Sequence, residues 1–527
     1  MLKELLLLSV ITTQVTANSL SQVKKVDWKE KRLAESRALL SGTTFLESTV
    51  FTKNKTNAYT KYFYIKSAKE KLSLIAEFEN RKIINKIKRG ETLVGSDLTM
   101  MHKIVAQFLR VQEELHALSK SNDKVISLIT TLDQFEVLDN TYTDYYGFRK
   151  FRRLINDSDS SYDIQAHEMS KEIRRILKKD FVLNSLDKYN HFVENIDSYR
   201  NTSNQRIVDM IIKHPAIGLL KNNRKLFKLG RKFKRKEALD KVFDLGIEIT
   251  HLLSKGFGNG VGSIRWRKGH LFEREDLNQE ILNVLKPLDI ITEKTYFALT
   301  DTFIPGHFGH NAIWLGTKEQ LIENNMWNHP SIIKYRDAIE EGLSIIETDR
   351  SGTHLKSLED FMNIDEFAIL RVDDKYLSPE KMKEVYSVAL SQIGKTYDFN
   401  FDVETTDQLV CSELLYQSFG DIKWPTQKWP GRMAISPDDV TSLALYQNSP
   451  IELVYYIAER KKGEFIYKDI FNLADDMGFA TIEDEFFMQE KVCKRVYSGK
   501  RRTVPGSRIR RRVYTKKCEM NYTPVIY

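Results

Sequence analysis

Two places in this chain hold residues suited to covalent chemistry: a cysteine, Cys411 in LVCSELLY, and, well upstream, His307 and His310 in PGHFGHNAIWLG. The polar, turn-rich TYDFNFDVETTDQLV precedes Cys411, and Leu414, Leu415, Tyr416 and Phe419 give the following helix a buried stripe. The thiol is therefore expected at or near a helix N-terminus, where unpaired amide N–H groups and the helix dipole favour a thiolate. Lowering a pKa of ~8.5 by about three units requires roughly 4 kcal/mol. A helix end supplies roughly 1–2 kcal/mol of that, and a protonated histidine nearby is the natural source of the rest. The competing reading of Cys411 is a small, inert core residue.

A His-x-x-His pair binds metal when both rings share a helix face. Here the Pro-Gly turn and the run Ala312–Leu315 argue for a strand, and no third ligand of obvious spacing follows, so no metal is expected. His310 heads the strand, a rigid place from which to aim an imidazole. His307 lies in the loop and is expected to shape the entrance for substrate. A third polar group should accept the second imidazole N–H. Glu347, closing the apolar run LSIIET, fits that part or is a solvated strand end, and His354 is a second candidate. Tyr397, in YDF before the cysteine, either donates a hydrogen bond to substrate or packs in a turn.

The elements that must position these groups change character along the chain. Hydrophobic content of 41% and charged content of 29% describe a globular protein, and 527 residues suggest more than one domain. MLKELLLLSVITTQVTANS reads as an export signal, 1–17, placing the protein in the periplasm or cell envelope. Residues 18–255 read as a mostly helical domain: AHEMSKEIRRILKKDF sets Met169, Ile173, Ile176 and Leu177 at helical spacing. A glycine-rich linker, 256–269, follows. Short β-like runs then alternate with helices, giving an α+β domain over 270–445 and a C-terminal extension with a basic tail over 446–527, whose IELVYYI either continues that domain or belongs to a small appendage.

The net charge of +9 is uneven: residues 221–236 hold nine cations and no acid, and the tail from Lys491 to Lys517 is similarly basic. Such blocks favour anionic partners, and the 221–236 stretch, with Leu226, Phe227, Leu229 and Phe233 among its charges, could lie on an anionic membrane surface. A solvated helix face and a basic tail are the plainer account, and nucleic acid is not the expected partner. Cys493 and Cys518 bracket a segment of the tail and could bridge in an oxidising compartment, leaving Cys411 unpaired.

His, then acid, then Cys, with IPGHFGHNAIWLG early, IIETDRSG and FAILRV between and LVCSELLYQSF late, resembles the circularly permuted papain-like enzymes. These form the YiiX/YebB-like branch of the NlpC/P60 superfamily, related to the lecithin:retinol acyltransferase group. LKPLDIITEKT and ISPDDV at 435–440 resemble stretches at either end of that family's domain. Leu288 departs from the pattern, standing where the family usually has Gly. The resemblance implies a permuted NlpC/P60-type fold with Cys411 as nucleophile, His310 as base, Glu347 as orienting group, and no cofactor. It implies a cysteine hydrolase or acyltransferase cleaving an amide or ester through a thioester, on cell-wall (peptidoglycan) peptide or lipid substrates. The alternative is an inactive papain-like protein that holds anionic envelope polymer or membrane.

Overall fold

A computed structural model describes residues 57–240, 267–296, 306–398, 401–429, 432–459, 461, 463–503 and 510–527. The export segment 1–17, and the expected linker 256–269 up to residue 266, lie outside the described residues. The chain divides into two compact units, Met1–Ile249 with Glu404–Asp407, and Thr250–Val403 with Gln408–Tyr527.

The first unit is helical. Its first three helices are α1 (Ala58–Arg89), α2 (Gly95–Leu118) and α3 (Lys124–Leu138). Asn57 caps α1 by accepting the Tyr59 N–H, and Gly90 ends it at φ 71°, a left-handed turn that glycine adopts without a Cβ penalty. Tyr62, Ile65, Leu72, Ile75 and Ile83 recur on one buried face of α1, whereas α3 is buried nearly all round and forms the centre of the unit. Residues 223–240 are helical and carry most of the cationic stretch. Leu226 and Phe233 on that helix are buried, with the Phe233 ring 4.0 Å from that of Tyr146. The membrane expectation for 221–236 therefore rests on its cations, its two strongest apolar anchors being turned inward. Among the described residues no helix is long and apolar enough to cross a membrane.

The second unit is built on a seven-stranded antiparallel sheet. Its strands are β1 (Ile290–Lys294), β2 (His310–Trp314), β3 (Ile345–Asp349), β4 (Gly352–Lys356), β5 (Glu366–Val372), β6 (Ile451–Glu459) and β7 (Phe465–Tyr467), in the order β7-β6-β5-β1-β2-β3-β4. β1 is buried along its whole length, its polar Thr292, Glu293 and Lys294 as well as Ile290 and Ile291. On one face Ile291, Ala312, Trp314, Ile345, Phe367 and Ile369 pack with Leu277 and Ile281 of the preceding helix. Helices α4 (Pro379–Ser391) and α5 (Cys411–Ser418) complete the part that matters for the site.

Two boundaries differ from the sequence reading. The sheet does not stop at 445: β6 pairs with β5 through Ile451↔Val372 to Ala458↔Glu366, so IELVYYI is a strand of the central sheet and not part of an extension. Arg267 to Gly269, at the end of the expected linker, are packed in place. Arg267 holds Asp365 at 2.7 Å, and a Cβ on Gly269 would lie 2.2 Å from the Ile364 nitrogen. Beyond β7, β8 (Phe479–Ile482), β9 (Glu485–Thr503) and β10 (Arg510–Pro524) form a separate three-stranded sheet whose last two strands make a long ribbon.

Candidate active site

Strand register brings the acid to the imidazole. β2 and β3 pair with Ala312 opposite Glu347, and side chains alternate along a strand, so His310 lies diagonally across from Glu347 on the same face. That diagonal is within reach of long side chains, and His310 Nε2 is 2.8 Å from Glu347 Oε2. β3 and β4 pair with Glu347 opposite His354, which puts His354 and, two residues on, Lys356 on this face too. Lys356 Nζ donates to Glu347 Oε1 at 2.7 Å, and His354 Nε2 is 3.3 Å from the same oxygen. The Glu347 carboxylate is buried, 1% exposed, yet both its oxygens are engaged. Burial pushes its pKa up; hydrogen bonds from His310 and His354 and the nearby charges outweigh that and hold it well below the usual carboxylate range.

The thiol is brought from the other side by α5. Val410 is extended and Cys411 is the first helical residue, a position at which the helix leaves backbone N–H groups without intrahelical acceptors. Ser412 anchors the helix start to β2, its hydroxyl donating to Asn311 Oδ1 at 3.0 Å while Asn311 Nδ2 donates to Thr292 Oγ1 at 2.9 Å. Cys411 and His310 lie close enough for each to shift the other's titration, and with Nε2 committed to Glu347 it is Nδ1 that is left to serve the sulfur. Burial pushes the Cys411 thiol up. The His310 charge, the bond from His310, the Asn311 N–H and the Ser412 hydroxyl together reverse this, and the net shift is down. Burial likewise pulls His310 down, but Cys411 and Glu347 raise it well above an ordinary histidine. These two shifts are the signature of a thiolate–imidazolium pair.

Tyr397 and His307 fall in different places. Tyr397 lies in a two-residue strand, Thr396–Tyr397, parallel to Gln408–Leu409 two residues before the cysteine. Burial first, then the charge of Cys411, push its phenol up. His307 belongs to a separate network: its Nε2 is 3.0 Å from both Glu366 Oε2 and Tyr456 Oη, and Lys468 donates into the same group at Glu366 (3.1 Å) and Asp476 (2.7 Å). His307, Glu366 and Asp476 could in principle hold a cation, but the Lys468 ammonium already occupies their centre of charge. Its backbone does help to shape the site. The Asp438 carboxylate, from ISPDDV, accepts the N–H of His307 and of Phe308 at 2.8–3.0 Å. Gly306 sits at φ 121°, where a Cβ would lie 2.3 Å from Asp438 Oδ2, so only glycine allows the two motifs to meet.

Sequence reasoning did not single out Lys356, Asn311, Ser412 or Glu413. Lys356 was open to discovery from the alternation in GTHLK. Glu413 is the acid of the first helical turn: Oε2 accepts the Val410 N–H at 2.9 Å, and Oε1 has no hydrogen-bond partner among the described residues. Burial, then Asp398 and Asp402 beside it, push its pKa well above the usual range, so it is a neutral acid.

No curated protein and no solved structure matches the chain. Residues 285–461, the span that holds Leu288, His310, Glu347, Cys411 and β6, match the family described as permuted papain-like amidase enzyme, YaeF/YiiX, C92 family.

Proposed function

We propose that this protein is a cysteine hydrolase or acyltransferase in which Cys411 is the nucleophile, His310 the acid–base and Glu347 the group that orients the imidazole. The observation that carries the reading is His310 held by the buried Glu347 carboxylate, itself fixed by Lys356 and His354, beside a thiol at a helix start. The thiolate attacks the carbonyl carbon of an amide or ester, and the carbonyl π pair moves to oxygen. The N–H groups at the start of α5 face the developing oxyanion. Imidazolium Nδ1 gives its proton to the departing amine or alcohol, leaving a thioester on Cys411. Neutral His310 then removes a proton from water, or from an acceptor hydroxyl or amine, as that oxygen or nitrogen attacks the thioester and the thiolate departs. Glu347 keeps Nε2 protonated throughout.

Cell-wall peptide and lipid are the substrate classes of this proposal, and its setting is the cell envelope. A disulfide between Cys493 and Cys518 supports an oxidising compartment. The test is to incubate the protein with muropeptides and with phospholipid vesicles, then search by intact mass for an acyl adduct on Cys411. Released amine with a peptidyl adduct selects the first class, and free fatty acid with a fatty-acyl adduct the second. No adduct and no product from either would leave the anionic-polymer binding role as the better account.

A further inference from the structure

The ribbon formed by β9 and β10 is covalently pinned, exposed and charged in a way that works against its own folding. From Lys491 to Lys517 the sequence holds twelve cations and no acid. Register places Arg495 opposite Lys516 and Lys494 opposite Lys517, and past an irregularity after Tyr497 it sets Arg501 opposite Arg512 and Arg502 opposite Arg511. Like charges directly opposed across an antiparallel pair are destabilising. Cys493 and Cys518, also opposed in the register, form a disulfide that holds the strands together beside the first of these pairs. An external anion would relieve the repulsion that the disulfide holds closed.

The two faces are not alike. Alternation puts Lys491, Arg495, Tyr497, Tyr514, Lys516 and Tyr522 on one face, and Glu490, Lys494, Lys517 and Glu519 on the other. Where β9 and β10 pair, from Phe487 to Tyr497, the first face has no acid (Glu485, of the same alternation, pairs instead with Ile482 of β8) and carries three exposed tyrosines, 41–51% accessible, with the Tyr497 and Tyr514 rings 6.0 Å apart. Cations interleaved with tyrosines on one side only suit a flat anionic boundary, where phenols sit at headgroup depth and ammonium and guanidinium groups meet phosphate. A polyphosphate duplex, whose groove walls enclose a ribbon, gives no reason to segregate acids to one side. The cationic helix of the first unit lacks this combination, because Leu226 and Phe233 are buried.

We propose that this tyrosine-bearing face of the β9–β10 ribbon docks on an anionic phospholipid surface. The inference does not depend on the thiol chemistry. The test is co-sedimentation of the full chain with vesicles of ether-linked phosphatidylcholine, with and without ether-linked phosphatidylglycerol, lipids that hydrolysis of an acyl ester cannot consume. Two double variants remove equal charge: Arg495→Gln with Lys516→Gln on the tyrosine face, and Lys494→Gln with Lys517→Gln on the other. Each relieves cross-strand repulsion, and intact mass under non-reducing conditions reports that the ribbon is still closed. The expected result is binding that requires phosphatidylglycerol, is weakened about 30-fold by the first pair and less than about threefold by the second. Equal losses for both pairs, no loss for the first, binding without phosphatidylglycerol, or displacement of vesicles by an equimolar DNA duplex would each overturn it, the last assigning the ribbon to nucleic acid.

Discussion

In the helical unit His102 Nδ1 lies 2.7 Å from Asp159 Oδ2, and in the sheet unit His310 Nε2 lies 2.8 Å from Glu347 Oε2. Both carboxylates are buried, and both imidazoles are raised above the ordinary histidine range once their partners offset the burial. The difference is at the second ring nitrogen. His102 Nε2 meets the Leu154 carbonyl oxygen at 3.2 Å, so each nitrogen has a fixed acceptor and neither proton has anywhere to go. The second nitrogen of His310 has no such carbonyl among the described residues, and the group that shifts its titration is the Cys411 thiol, which can itself give and take a proton. A histidine–carboxylate pair is thus a structural clamp or half of a catalytic relay depending on its third member.

The sharpest way to break this comparison is to remove that third member. Cys411→Ser and His310→Gln should each lower turnover by about 10⁴-fold or more, and a Cys411→Ser/His310→Gln double variant by little beyond either, because groups that act as a unit are not additive. The pH dependence carries the same information with a sign. The thiol is lowered and the imidazole raised, so the reactive ion pair should form below the ~8.5 of a free thiol and persist above the ~6.5 of a free histidine. Iodoacetamide should alkylate Cys411 readily in mildly acidic buffer, and kcat/KM should be a bell whose limbs belong to the pair. In His310→Gln burial still disfavours the thiolate while its main opponent is gone, and the alkylation limb should move above that of a free thiol.

Two buried glutamates sharpen the point further. Glu347 is ionised and holds the imidazole, so Glu347→Gln should cost about 10²–10⁴ in kcat with an unchanged fold, by allowing the wrong imidazole tautomer. Glu413 is neutral, and its amide analogue preserves both shape and the acceptor for the Val410 N–H, so Glu413→Gln should change kcat by less than about threefold. Equal losses in the two variants would mean that the carboxylate charge beside His310 contributes nothing.

In the helical unit the corresponding cut should appear in stability instead. His102→Gln takes the imidazole from the buried Asp159, which keeps the Ser161 N–H, and should cost about 3 kcal/mol in denaturant unfolding while leaving the alkylation rate of Cys411 unchanged. A change in alkylation pH dependence would show that the two pairs are not independent.

What could be read in the sequence follows from how local the signal is. Cys411 at a helix start is announced by the change from turn formers to a periodic apolar stripe, and His310 by the Pro-Gly turn ahead of a strand; the structure places them so. Glu347 is legible because an apolar run ends at it, although its diagonal alignment with His310 depends on a register that no residue spells out. His307 was assigned to the substrate entrance from its neighbour's position, whereas Glu366, Tyr456 and Lys468, which engage its ring, come from β5, β6 and the segment after β7. The membership of β6 in the central sheet was equally hidden, since edge and centre strands of an antiparallel sheet read alike. The opposed cations of the ribbon are visible only once two distant basic segments are paired.

Leu288 joins both kinds of information and gives the smallest of the expected effects. The sequence marks it as a leucine where related domains have glycine, and the structure shows why glycine suits the place. Its φ is 68°, in the left-handed region, and its N–H donates to the Trp314 oxygen at 2.7 Å, tying the turn before β1 to the end of β2. A left-handed L-residue costs about 1–2 kcal/mol, here offset by burial of the leucine side chain at 1% exposure. Leu288→Ala loses the burial and keeps the strain; Leu288→Gly loses the burial and releases it. The usual order of alanine over glycine should therefore invert, with Leu288→Gly more stable than Leu288→Ala by about 1 kcal/mol in denaturant unfolding. The ordinary order would show that the turn relaxes to negative φ at no cost, and that the leucine is there for its side chain alone.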